Sequence, residues 1–81
     1  MNGTWLVLRD GSLLCLETGA SIRVSRIGPP LDGHYNYKVY HKMPKEGKGG
    51  PMLVSPLEDV CQGYIHQIQN VLRERKQLIE V

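Results

Sequence analysis

With 81 residues, 41% of them apolar and 22% charged, the chain has room for one domain around one core and the composition of a folded protein, not of a disordered tail. A formal charge of +2 and an isoelectric point near 8.7 are too mild to announce a nucleic-acid partner without a local cluster. No stretch reaches the roughly 18 apolar residues that span a bilayer, and the N-terminus lacks the basic-then-apolar layout of a secretory signal, so a cytoplasmic location without membrane contact is expected.

Residues 4–9 (TWLVLR) and 12–17 (SLLCLE) are short, apolar and β-favouring. Asp10-Gly11 between them predicts a hairpin closed by a two-residue type I′ turn, which needs positive φ at both central residues. A second turn at Thr18-Gly19 leads into residues 20–27 (ASIRVSRI), where Ile22 and Val24 alternate with Arg23 and Ser25 as in a half-buried strand. The segment 28–33 (GPPLDG) reads as a loop, because its prolines have no amide to give a ladder. Residues 35–42 (YNYKVYHK) resume a strand, 43–50 (MPKEGKGG) read as a mobile loop, and 51–54 form a short strand whose proline fits a sheet edge.

Ser55-Pro56-Leu57-Glu58 then opens a helix, with Ser55 as cap, Pro56 in the first turn and Glu58 completing a capping box. From Leu57 onward apolar residues recur at Val60, Cys61, Tyr64, Ile65, Ile68, Val71 and Leu72, which makes one stripe, while Asp59, Gln62, His66, Gln67, Gln69, Asn70 and Arg73 take the other side. The expected architecture is α+β: one domain over 1–81, with an antiparallel meander of four to five strands over about 4–54 packed on one C-terminal amphipathic helix over about 56–76.

The functional expectation follows from the hairpin register. A two-residue turn pairs Leu8 with Leu13, Val7 with Leu14, Leu6 with Cys15 and Trp5 with Leu16, and cross-strand partners share a face. Extension to the third strand sets Leu6, Leu8, Leu13 and Cys15 beneath the helix. Trp5, Val7, Leu14 and Leu16 then lie on the side that one helix cannot cover, next to Ser21, Arg23 and Ser25. Contiguous exposed apolar patches mark association. The chain therefore reads as a small non-catalytic protein-interaction module, a homodimer or the partner of another protein, with Trp5, Val7, Leu14 and Leu16 at the interface.

The second expectation is a nucleic-acid contact. Lys38, Tyr40, Lys42, Lys45 and Lys48, interleaved with Tyr35 and Tyr37, resemble a sheet that stacks bases while lysines meet phosphates. Tyr37 shares parity with Val39 and packs inward on this reading, and lysines also guard edge strands against aggregation. No other chemistry stands out. Gly47-Lys48-Gly49 lacks the leading glycine and the Ser/Thr of a phosphate loop, and His34, His41 and His66 have no metal-ligand spacing. Cys15 and Cys61 lack CxxC spacing and read as buried thiols, and the carboxylates are scattered. No catalytic residue, metal or cofactor is expected.

Overall fold

The computed structural model describes residues 3–31, 34–44 and 48–80. In chain order the elements are β1 (Trp5–Val7), β2 (Leu13–Cys15), β3 (Ser21–Leu31), β4 (His34–Met43), β5 (Lys48–Ser55), α1 (Glu58–Glu74) and β6 (Leu78–Ile79). They form one six-stranded sheet in the order β5-β4-β3-β2-β1-β6, with α1 packed on one face. The first five strands pair antiparallel as a meander, but β6 joins β1 in parallel, so the sheet is mixed and has six strands where an antiparallel four to five are expected. The cause is topological. β5 runs in the direction of β1, and α1 carries the chain back across the sheet, so β6 arrives in that same direction.

The first hairpin exists, in a register one residue away from the expected one. Gly11 N–H donates to Leu8 O (3.0 Å) and Leu8 N–H to Ser12 O (2.8 Å), so three residues, Arg9 to Gly11, form the loop. Gly11 has φ +86° while Asp10 is not left-handed, which excludes type I′ and fits a type I turn followed by a left-handed glycine. The Asp10 carboxylate accepts from the Ser12 amide (2.9 Å), and the Ser12 hydroxyl and amide hold that carboxyl below the usual range. The ladder then pairs Trp5 with Cys15, Leu6 with Leu14 and Val7 with Leu13. A one-residue slip exchanges faces on one strand relative to the other. Trp5 and Val7 therefore join Leu13 and Cys15 on the helix side.

Parts of two segments read as loops, 28–31 and 48–50, are strand, while 32–33 and 45–47 lie outside the described residues. β3 runs through Gly28-Pro29-Pro30 to Leu31, and the prolines act on pairing alone: the register jumps from Ile27↔Asn36 to Leu31↔His34, which leaves residues 28–30 out of the ladder. β5 begins at Lys48, ahead of Pro51, and a Cβ on Gly49 would come within 2.5 Å of His41 O, so glycine there permits close approach of two backbones. Pro51 does sit on an edge strand, and Met52 is bulged out between Val39↔Leu53 and Tyr40↔Pro51.

The helix starts at Glu58, two residues later than expected, and no capping box forms. Ser55 is still strand, and its hydroxyl accepts from the Leu57 amide (3.1 Å). At the other end Lys76 N–H donates to Arg73 O (3.1 Å) and Gln77 N–H to Leu72 O (2.8 Å), a Schellman arrangement with Lys76 at φ +57°. Lysine carries a steric cost in that conformation, whereas glycine carries none. Lys76→Gly is expected to stabilise the protein by about 0.5–1 kcal/mol, read from the midpoint of urea unfolding; a loss of stability would contradict the assignment of this cap. The turn delivers Gln77 O to the Trp5 amide (2.7 Å) and starts β6.

The core comprises Trp5, Leu13, Cys15, Ala20, Ile22 and Val39 from the sheet side, closed by Cys61, Ile65 and Leu72 of α1. Gln69, placed by its spacing on the polar side, is buried, and its Nε2 donates to Gly11 O (3.1 Å), tying the helix to the first hairpin. The buried stripe of α1 is accordingly Cys61, Ile65, Gln69 and Leu72. Val60 and Val71, expected on the buried stripe, are 45% and 47% exposed.

Candidate binding surface on the helix-free sheet face

α1 covers one side of the sheet, and the strand registers fix what lies on the other. One row across the strands reads Ile79, Leu6, Leu14, Ser21, Lys42, Gly49. The next two rows read Arg23, Tyr40, Pro51 and Ser25, Lys38, Val54. Leu16 belongs to the same side, since its amide donates to Thr4 O (2.9 Å) and continues the β1–β2 register. The face therefore changes character along the sheet, from apolar on β6, β1 and β2 to cationic and aromatic on β3 and β4.

Of the four side chains expected at an interface, Leu14 and Leu16 lie on this face, Leu16 being 52% exposed. Trp5, at 5%, and Val7 belong to the helix side, where Trp5 is part of the core and Val7 packs against it. They do not share a face with Leu14 and Leu16. In their place the register brings Leu6 and Ile79, the latter 43% exposed. Sequence reasoning missed both: Leu6 because of the one-residue slip, Ile79 because a two-residue strand leaves no periodic signal.

Of the side chains expected at a nucleic-acid contact, Lys38, Tyr40 and Lys42 share the helix-free face, while Tyr37 packs toward the core. Lys45 lies outside the described residues, and Lys48 is placed only by its backbone pairing with Met43. Lys38 Nζ stands 5.2 Å from the centre of the Tyr40 ring. Arg23 on β3 is the direct cross-strand partner of Tyr40. Two open hollows of about 350 and 340 Å³ flank Tyr40, the first reaching Leu14, Ser21 and Arg23, the second Lys38, Gly49 and Pro51, and both include Lys42. Tyr35 faces the other way, with the Arg26 guanidinium 4.2 Å over its ring.

A second apolar surface runs along the outer flank of α1. Leu57, Val60 and Val71 are 61%, 45% and 47% exposed, and a hollow of about 310 Å³ between Tyr64, Ile68 and Val71 is bordered by Gln67 and Arg75.

The thiols of Cys15 and Cys61 are unpaired and buried, and burial pushes the Cys61 thiol up, which suppresses the reactive thiolate. Neither is expected to react with a thiol reagent at neutral pH until the protein unfolds; stoichiometric labelling of the native protein would overturn that placement. Among the described residues no group of three or more His, Cys, Asp or Glu could hold a metal ion, and no helix is long and apolar enough to cross a membrane. Glu17 accepts from the Thr4 amide (2.7 Å), which holds its carboxyl below the usual range, and Glu80 pairs with Arg73 to join β6 to the helix.

No protein-family model matches the chain, and no curated protein or solved structure matches it.

Proposed function

We propose that the protein is a small non-catalytic interaction module of the cytoplasm that self-associates through the apolar end of its helix-free sheet face. The observation that carries this reading is the uncharged block formed by Ile79, Leu6, Leu14 and Leu16 on and beside adjacent strands, with no element over it among the described residues. A second copy suits it. A two-fold axis through these rows sets apolar side chains against each other and carries the cationic rows of β3 and β4 to opposite ends, so like charges do not meet.

The strength of association follows from size. A stable interface covers about 800 Å² per partner, and three strands about 4.8 Å apart form a narrower strip than that. A reversible dimer with a dissociation constant on the order of tens of micromolar is therefore expected, not an obligate one. Sedimentation velocity between about 1 and 500 µM, the range that brackets such a constant, tests it. A concentration-dependent shift toward the dimer supports the reading, and a monomer throughout refutes it.

A further inference from the structure

We infer that the patch formed by Arg23, Lys38, Tyr40 and Lys42 is a binding site for single-stranded nucleic acid. The modest net charge hides a cationic stretch of sheet. β3, β4 and β5 contain no Asp or Glu. Of the described carboxylates, Asp10 in the first hairpin loop lies near enough to Arg23 for the guanidinium to help hold its carboxyl below the usual range, and the others sit elsewhere: Glu17 beside the first hairpin, Glu58, Asp59 and Glu74 on α1, and Glu80 after β6. Nothing on the strands themselves neutralises the cations around Tyr40.

The spacing suits an extended strand of nucleotides. Lys38 and Lys42 lie two residues either side of Tyr40 on one strand, which separates the two lysines by about 13 Å along β4, and Arg23 sits beside the ring on β3. A phenol ring on an open sheet with a hollow on each side can stack an unpaired base, while the three cations meet successive phosphates. Duplex DNA fits poorly, because its bases are stacked inward and its major groove admits a protruding helix or ribbon, not a flat sheet. An acidic protein would satisfy the charges but leave the ring without a stacking partner. Lys42 shares a row with Leu6 and Leu14, but the site is carried by β3 and β4 and self-association by β6, β1 and β2, so each can be removed by substitutions on its own strands.

The test is fluorescence anisotropy of the full chain with labelled oligothymidylate and oligouridylate of about 12 nucleotides, a length within the usual range of single-strand sites. Polyglutamate of similar charge serves as the comparison. Saturable binding is expected, weakening with salt at a log–log slope of about −2 for three phosphate contacts. Lys42→Ala should reduce that slope by about 0.7. Tyr40→Ser should lower affinity roughly tenfold or more with the slope unchanged, and Tyr40→Phe should restore it. Circular dichroism confirms that each variant is folded. No saturable binding at low salt, polyglutamate bound as tightly as the oligonucleotides, or an affinity indifferent to Tyr40→Ser would each overturn the assignment.

Discussion

Replacing Trp5 by alanine is expected to cost the fold about 3–5 kcal/mol, the range for truncating a buried aromatic side chain. Trp5 is 5% exposed and belongs to the same cluster as Leu13, Ile22, Ile65 and Leu72, so the substitution opens a cavity under the helix. A small domain has a total stability of about 5–15 kcal/mol, and the variant should stand near the edge of unfolding. Trp5→Phe should cost much less. The indole N–H is buried without a hydrogen-bond partner among the described residues, so phenylalanine loses volume but also removes a donor whose burial is itself unfavourable by about 1–3 kcal/mol. Urea unfolding followed by far-ultraviolet circular dichroism separates the cases, since Trp5 is the sole tryptophan and tryptophan emission vanishes with it. Were Trp5 a docking residue instead, alanine would leave the unfolding midpoint in place.

The second large effect concerns assembly. Leu16→Asp and Ile79→Asp each place a carboxylate within the uncharged block, where pairing two copies about a two-fold axis would bury two like charges. Each is expected to weaken dimerisation by at least tenfold, which is about 1.4 kcal/mol. Both positions are substantially exposed, at 52% and 43%, so folding should change little. Val71→Asp is the informative comparison. Val71 is 47% exposed on the flank of α1, and on the present account its substitution leaves the dimer intact. If Val71→Asp dissociates the dimer while Leu16→Asp does not, the helix flank is the interface and the sheet rows are ordinary surface.

Much of the fold was legible in the sequence because local rules agreed. The helix followed from its 3.6-residue stripe, and the parity of β4 put Tyr37 inward, on the side opposite Lys38, Tyr40 and Lys42. The alternation in β3 likewise put Ile22 and Val24 on one side and Arg23 on the other. The first hairpin was different. Its strands are apolar on both faces, so the pattern could not choose a register, and Asp-Gly serves a three-residue loop with a left-handed glycine as well as a type I′ turn. That single residue decided whether Trp5 lay in the core or on the surface. The orientation of α1 was hidden for another reason. Gln69 is polar and its spacing put it outside, but its amide finds the Gly11 carbonyl, a partner 58 residues away that no local rule can see. β6 was too short to register at all, and its pairing depends on where the helix ends.

If the helix-free face is the working surface, amide chemical shifts measured across a concentration series report it residue by residue. Shifts should move with concentration at Leu6, Leu14, Leu16 and Ile79 and stay fixed at Val60, Tyr64 and Val71. Movement confined to the helix residues, or none anywhere up to millimolar protein, would contradict it.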